Sequence, residues 1–173
     1  EVFLYPSPLH YKTLPEIAYD RNITVLLGTP TFLYGYGKYA HPYDFYNLRF
    51  VLAGEKKLKE EVRQLWQDKF GIRIFEGYGA TETGPVLSLN TPLLNRSGTV
   101  CRFLPGIEYR IEKVPGIEDG GNLWVKGPNV MAGYMLYGKG FVPAFEWYNC
   151  GDVVSIDSEG YLSVKSRLKR FAK

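Results

Sequence analysis

The sequence has few of the residues that build metal centres and disulfide frameworks. Its 173 residues include two cysteines and two histidines, and neither pair has the spacing of a metal-binding motif. Cys101 and Cys150 lie far apart in the chain, so reduced thiols in a cytosolic protein are expected. The sequence also lacks an apolar run close to the ~20 residues that span a bilayer. Neither a structural zinc site nor a disulfide scaffold is therefore expected.

A strong excess of charge is also lacking. The net charge is +3, and no Lys/Arg block stands apart from acidic neighbours before the last ten residues, VKSRLKRFAK. No nucleic-acid partner is therefore expected. Hydrophobic residues make up 45% of the chain, which predicts a packed core, and 19 glycines with 11 prolines favour strands and turns over a helical bundle.

Strand and helix patterns alternate in the first half of the chain. Apolar runs predict strands, and a face of apolar residues recurring at helical spacing predicts the longest helix, which Gly71 should end. The predicted strands are 22–27, 47–53 and 72–75, and the predicted helices are 31–40 and 55–69. The order β-α-β-α-β indicates a parallel sheet with crossover helices.

The pattern changes after about residue 95. Short candidate strands separated by turn residues, with no helical period, predict a small antiparallel sheet or barrel. These candidates are 98–103, 107–114, 122–126, 153–156 and 161–164. The predicted organisation is a partial α/β subdomain at 1–92, followed by a small β-barrel subdomain at 93–166.

A glycine-rich stretch, FEGYGATETGP at 75–85, directly follows one of the predicted parallel strands. Ligands of such sheets bind at the carboxyl ends of strands. Tyr78 stands between two glycines, where its ring could stack on a planar base. Thr81 could donate to a phosphate oxygen, and Glu82 is a hard oxygen ligand suited to Mg²⁺. The same composition also fits a glycine-rich turn with capping polar groups.

Two further stretches favour a ligand-binding role for 75–85 over a turn with only a structural role. GNLWVKGPNVMAGY, and then YNCGD with DSEGYLSVKSRLK, follow YGATE along the chain. Together the three stretches resemble, in order and spacing, the core motifs of the adenylate-forming superfamily. That superfamily includes acyl-CoA synthetases, luciferases and the adenylation domains of peptide synthetases. The resemblance implies ATP and Mg²⁺ as cofactors and an acyl-adenylate as intermediate.

A narrower resemblance covers essentially the whole chain. The stretches EVFLYPSPLHY, HPYDFYNLRFVLAGEKKL and RQLWQDKFGIRIFEGYG are similar to the bacterial bifunctional 2-acylglycerophosphoethanolamine acyltransferase/acyl-[acyl-carrier-protein] synthetase family, in its synthetase part. This resemblance implies a fatty acid substrate and an acyl carrier protein as thiol acceptor, with coenzyme A as the alternative. It also implies a lysophospholipid partner through an acyltransferase part, and a place on the cytoplasmic face of the bacterial inner membrane.

The superfamily resemblance assigns roles to individual residues. Tyr78 is expected to stack on adenine, Thr81 to touch the phosphate and Glu82 to hold Mg²⁺. Asp152 is expected to accept hydrogen bonds from the ribose hydroxyls, and Arg167 should lie near the same ribose.

Other roles in the resemblance concern backbone and hinge positions. The loop Gly54-Glu55-Lys56 is expected to line the adenine pocket through its backbone, and Gly77 to let the chain approach the nucleotide. Glu76 is expected to accept from the adenine amino group. Lys169 falls at the hinge position of the family, within a segment 167–173 that would lead to a C-terminal domain.

The sequence departs from the family pattern at several places. Cys150 replaces a preferred Thr, Asn149 replaces an Asp, and Ser166 replaces a Gly. No Ser/Thr/Gly-rich phosphate loop of the STGxxK type occurs in the 173 residues. The chain is therefore expected to be a fragment with little or no synthetase activity of its own. Two alternatives remain: a fatty acyl-CoA ligase, and a non-catalytic nucleotide-binding module.

Overall fold

The computed structural model describes residues 1–168 and divides into two units. The first unit is Glu1–Glu76, and the second begins at Gly77. The predicted boundary between residues 92 and 93 separates regions by type of secondary structure, and it stays a prediction. No helix within residues 1–168 has the length and apolar character needed to cross a membrane.

The first unit alternates helices and parallel strands. Its elements are α1 Thr13–Asp20, β1 Val25–Gly28, α2 Pro30–Tyr39, β2 Phe50–Ala53, α3 Glu60–Phe70 and β3 Ile74–Tyr78, the last of which continues past the unit's end. Strand β2 pairs in parallel with β1 and with β3. The predicted β-α-β-α-β order is confirmed, and α2 and α3 are the crossover helices.

Helix α3 shows how the sequence builds the core of this unit. Trp66 and Val62 form its buried face, and the Trp66 indole donates a 2.8 Å hydrogen bond to the carbonyl oxygen of Leu33. The ring of Phe45 stacks on Trp66 with a centroid distance of 4.9 Å. The helix ends at Gly71, which has a φ of +69°, a conformation that favours glycine.

The second unit is mostly β-structure. Its elements are a 3-10 turn at Thr81–Thr83 and the strands β4 Ser88–Leu89, β5 Glu108–Glu112, β6 Gly121–Lys126, β7 Gly133–Leu136, β8 Gly140–Pro143, β9 Tyr148–Ile156 and β10 Leu162–Arg167. An antiparallel sheet runs in the order β10-β9-β6-β5, β7 and β8 form a hairpin, and β4 pairs with the end of β3. The predicted fold class, α/β followed by mostly β, is confirmed. Within residues 1–168 the antiparallel sheet β10-β9-β6-β5 does not close into a barrel, since β5 and β10 are its two edge strands.

Several local elements differ from the sequence prediction. Helix α1 and the β7–β8 hairpin were not predicted, and α3 begins at Glu60 rather than at residue 55. Residues 98–103 do not form a strand but contribute one bridge, between Phe103 and Ser88. The physical reason is that Gly98 and Cys101 have φ values of +80° and +69°, which interrupt an extended run.

The hairpin of β9 and β10 sets the register of two predicted site residues. In its turn, Asp157 Oδ1 accepts 2.9 Å hydrogen bonds from the backbone N–H groups of Glu159 and Tyr161. From this turn the antiparallel pairing runs in register to Val164, and a register shift between Val164 and Ser166 then places Arg167 directly opposite Asp152. The DSEGY part of the third motif therefore has a structural role in positioning these two residues.

Candidate functional site

The centre of the candidate site is the Asp152 carboxylate. The Tyr78 hydroxyl donates a 2.7 Å hydrogen bond to its Oδ2, and Arg167 forms an ion pair with it, with 2.9 Å between Arg167 Nε and Asp152 Oδ1. The Asp152 side chain is 8% exposed, whereas that of Arg167 is 66% exposed. A carboxylate has about four acceptor positions, so Asp152 can still accept from the hydroxyls of a ligand. The hydrogen bond and the ion pair fix its orientation in advance.

The groups around this carboxylate are held in their protonated forms. Burial raises the pKa of Tyr78 far above its ordinary value, and the neighbouring Cys150 and Asp152 raise it further. Burial also raises the pKa of the Cys150 thiol to about 12. At neutral pH Tyr78 is therefore a hydrogen-bond donor, and Cys150 is a small neutral group. The departure from the family pattern at residue 150 leaves the Tyr78–Asp152–Arg167 arrangement in place.

The loop that follows Tyr78 is fixed by contacts of its own. Thr83 is fully buried, and its hydroxyl accepts from the Ala80 N–H and donates to the Ala80 carbonyl, both at 2.9 Å. The amide of Asn129 donates to the carbonyl oxygens of Thr83 (2.6 Å) and Val86 (2.9 Å). A Cβ on Gly79 would overlap the carbonyl oxygen of Pro85. Gly79 is thus required for the loop to close on itself, before any ligand is considered.

Glu82 lies on the 3-10 turn of this loop, next to the exposed Thr81. Its backbone carbonyl accepts a 2.8 Å hydrogen bond from the Met131 N–H, and its Oε1 accepts a 3.2 Å hydrogen bond from the Tyr134 hydroxyl. No group of three or more His, Cys, Asp or Glu side chains that could hold a metal occurs within residues 1–168. Mg²⁺ is commonly held by one or two carboxylates together with substrate phosphates. A single carboxylate such as Glu82 fits a Mg²⁺ ion that arrives with a nucleotide.

The predicted adenine-pocket loop lies in the first unit, directly after β2. The Gly54 N–H donates to the Gly28 carbonyl at 3.3 Å, and the Lys56 N–H donates to the Gly54 carbonyl at 2.9 Å. Glu55 has a φ of +73°, which is uncommon for a residue with a side chain. Such backbone strain is frequent at ligand-binding loops, and the role of this loop stays a prediction.

Glu76 makes two buried contacts within the protein that the sequence did not predict. It is 5% exposed, and its Oε2 accepts a 2.7 Å hydrogen bond from Arg63 while its Oε1 accepts a 3.1 Å hydrogen bond from the Leu58 N–H. The second bond satisfies the Leu58 N–H just ahead of α3, and Lys59, with extended backbone angles, is the N-cap residue of that helix. The predicted adenine contact of Glu76 is untested, and Lys169 lies outside the described residues.

The structure brings Tyr78, Asp152 and Arg167 together, and it shows two further residues that sequence reasoning missed. Asn129 and Tyr134 both belong to the second motif, GNLWVKGPNVMAGY, and they contact the loop that carries Thr83 and Glu82. The motif itself was the available signal. The motif indicated the family but gave no role to Asn129 or Tyr134. Their partners lie more than 40 residues earlier in the chain, so spacing along the sequence does not identify them.

Comparison with known proteins identifies the family of the chain. Residues 2–135 match the family model described as AMP-binding enzyme. A long-chain-fatty-acid–CoA ligase from Yersinia pestis is 32% identical over 133 residues, which cover 73% of this chain and 24% of the relative. The p-hydroxybenzoic acid–AMP ligase FadD22 from Mycobacterium tuberculosis is 32% identical over 151 residues, which cover 83% of this chain and 21% of the relative.

Solved structures show the same fold. The anthranilate CoA ligase AuaEII in complex with anthranoyl-AMP has a TM-score of 0.83 at 20% identity, over 97% of this chain and 34% of its own. ATP-bound MatB from Rhodopseudomonas palustris has a TM-score of 0.71 at 27% identity, over 88% of this chain and 33% of its own. The chain spans about a quarter of the length of the curated relatives it matches.

The fold is that of part of an adenylate-forming ligase, and the chain belongs to the AMP-binding enzyme family. The superfamily resemblance of the three motifs is thereby confirmed. The narrower resemblance to the bifunctional acyltransferase/synthetase family remains a prediction.

Proposed function

We propose that this chain supplies the nucleotide-binding part of an ATP-dependent acid–thiol ligase. The observation that carries the proposal is the Asp152 carboxylate, which Tyr78 and Arg167 hold in a single orientation. Family membership supports the choice of an adenine nucleotide as ligand. Asp152 would accept from the ribose hydroxyls, and the ring of Tyr78 would lie against the adenine while its hydroxyl keeps Asp152 in place.

The proposed reaction has two steps. A carboxylate oxygen of the acid attacks the α-phosphorus of ATP, the bond to the pyrophosphate oxygen breaks, and an acyl-adenylate and pyrophosphate form. A thiol then attacks the acyl carbonyl, loses its proton and displaces AMP. In this scheme Thr81 donates to a phosphate oxygen. Mg²⁺ held by Glu82 would neutralise part of the phosphate charge when it is bound.

The proposed acid is a fatty acid, and the proposed acceptor is the thiol of an acyl carrier protein. The resemblance to the bifunctional family supports this acceptor and extends it to lysophospholipid reacylation at the cytoplasmic face of the inner membrane. Coenzyme A is the second candidate acceptor, because one relative is a long-chain-fatty-acid–CoA ligase. Supplying either thiol, with fatty acid and ATP, to the full-length parent enzyme distinguishes the two, since the acylated thiol identifies the acceptor.

Calorimetric titration of the chain with ATP, with and without Mg²⁺, tests the nucleotide site directly. We expect the wild-type chain to bind ATP and Asp152→Ala to lose that binding. Asp119→Ala is the matched control, because this carboxylate is 76% exposed and pairs with Lys165 on the surface. Absence of ATP binding in a wild-type sample with a native circular dichroism spectrum would refute the proposal.

A further inference from the structure

The Glu82 carboxylate is held by a second segment of the chain. Tyr134 lies on β7, 52 residues further along, and its hydroxyl donates to Glu82 Oε1 at 3.2 Å. In the same segment, the Met131 N–H donates to the Glu82 carbonyl oxygen at 2.8 Å. The backbone contact fixes where Glu82 is, and the side-chain contact fixes which way one of its oxygens faces.

A tyrosine hydroxyl is protonated at neutral pH. The Tyr134 hydroxyl therefore donates to the Glu82 carboxylate in this contact.

We propose that Tyr134 is a positioning residue for the metal-binding carboxylate. By donating to Oε1, its hydroxyl leaves Oε2 of Glu82 available to a divalent cation that is bound together with nucleotide phosphates. This inference rests on the proposed function and adds a specific residue to it. Hydrogen-bond partners that orient a metal-binding group commonly change metal affinity by about 10–100-fold.

The expected effect lies at the lower end of that range. Tyr134 is 46% exposed, so water can replace part of the lost hydrogen bond in a variant that lacks the hydroxyl. The strand that carries it pairs with β8 through its backbone, and the phenylalanine ring keeps the side-chain volume. Tyr134→Phe should therefore fold and remove only the donor.

The test is the gain in ATP affinity that Mg²⁺ produces, measured by calorimetry with ATP alone and with ATP plus Mg²⁺. For Tyr134→Phe we expect this gain to fall by about tenfold, while the affinity for ATP without metal stays at the wild-type value. Tyr137→Phe is the matched control, since it removes a hydroxyl from a fully exposed tyrosine three residues further on. Glu82→Gln should abolish the gain.

Other results separate the failure of this inference from failure of the proposed function. The positioning role would be overturned if Mg²⁺ raised the ATP affinity of Tyr134→Phe as much as it raises that of the wild-type chain. It would also be overturned if Tyr134→Phe lost ATP affinity equally with and without Mg²⁺. A wild-type chain that binds ATP without any Mg²⁺ effect would overturn the metal role of Glu82 and this inference, but it would leave the nucleotide site standing. A wild-type chain that does not bind ATP would overturn both.

Discussion

Tyr78 and Asp152, 74 residues apart in the chain, are joined by a 2.7 Å hydrogen bond from the tyrosine hydroxyl to Oδ2 of the carboxylate. The bond connects the last residue of β3 with the middle of β9. It gives Tyr78 a role that is independent of its ring, because the hydroxyl orients the residue proposed to hold the ribose.

Removing this hydroxyl separates its role from that of the ring. Tyr78→Phe should lower the free energy of unfolding by about 1–2 kcal/mol, because the half-buried donor to a charged group is lost. Urea unfolding measures this change, and ATP titration should show a weaker but persistent affinity. Tyr109→Phe is a suitable control, since the ring of Tyr109 stacks on Phe103 at 4.7 Å and phenylalanine preserves that contact. Equal stability of both variants would contradict this prediction.

The ion pair of Glu76 and Arg63 should contribute strongly to the stability of the first unit. Glu76→Gln removes the buried counter-charge of the Arg63 guanidinium, which is 16% exposed, while the more exposed Glu60 stays paired with Arg63 at 3.1 Å. We expect a loss of about 2 kcal/mol in the free energy of unfolding, because one of the two counter-charges remains. Hydrogen exchange at the Leu58 amide, which donates to Glu76, should accelerate in parallel.

The control for that variant is Glu61→Gln. Glu61 is 62% exposed and lies 3.7 Å from Lys59, a surface pair for which a change of at most about 1 kcal/mol is expected. A Glu76→Gln variant that is as stable as Glu61→Gln would show that the buried pair contributes no net stability.

Gly79 should tolerate no side chain. Gly79→Ala places a Cβ against the Pro85 carbonyl, which belongs to the backbone and cannot rotate away. We expect a drop of several degrees in the melting temperature, together with loss of ATP binding, as the 79–85 loop opens. Gly54→Ala is the control for stability, because a Cβ at that glycine meets no atom within 4 Å. Similar melting temperatures for the two variants would refute the steric argument.

Stability should fall as the pH rises above about 9. Burial raises the pKa of both the Cys150 thiol and the Tyr36 hydroxyl to about 12. Between their ordinary pKa values and 12, the unfolded chain has released protons that the folded chain still holds. The unfolded state then binds fewer protons, so the free energy of unfolding decreases with pH, by about 1.4 kcal/mol per pH unit for each group.

Urea unfolding at several pH values between 8 and 10.5 measures this slope. Cys150→Ala removes one of the groups whose pKa is raised and should make the slope shallower, whatever its effect on stability at pH 8. An unchanged slope in this variant would mean that the thiol does not titrate differently in the folded and unfolded chains.

The elements that could be predicted from the sequence are those with a strong local pattern. Helix α3 has an apolar face that includes Val62 and Trp66 and a glycine at its end, and both features are visible in the residues themselves. The β7–β8 hairpin was missed because none of its residues is buried, so no alternation of apolar and polar residues marks its strands. Helix α1 was missed because it is short and carries Pro15, which a helix accepts only in its first turn.

The residues of the candidate site that belong to recognisable motifs could be predicted from the sequence. Tyr78, Asp152 and Arg167 were selected by resemblance, and in the structure both Tyr78 and Arg167 contact Asp152. The engagement of Glu76 with Arg63 could not be predicted, because the two residues meet only after α3 has packed on the sheet. The contact between Tyr134 and Glu82 was hidden for the same reason: a distance of 52 residues in sequence reveals nothing about proximity in space.

Asn129 gives the glycine-rich loop an unusual dependence on a remote residue. Its single amide group donates to two carbonyl oxygens, at residues 46 and 43 positions earlier in the chain. A side chain lacking two N–H donors at this position would release both ends of the loop at once. The conformation of the first motif therefore depends on the second. The sequence YGATETGP, grafted into another protein without an amide that replaces Asn129, should not adopt this loop conformation.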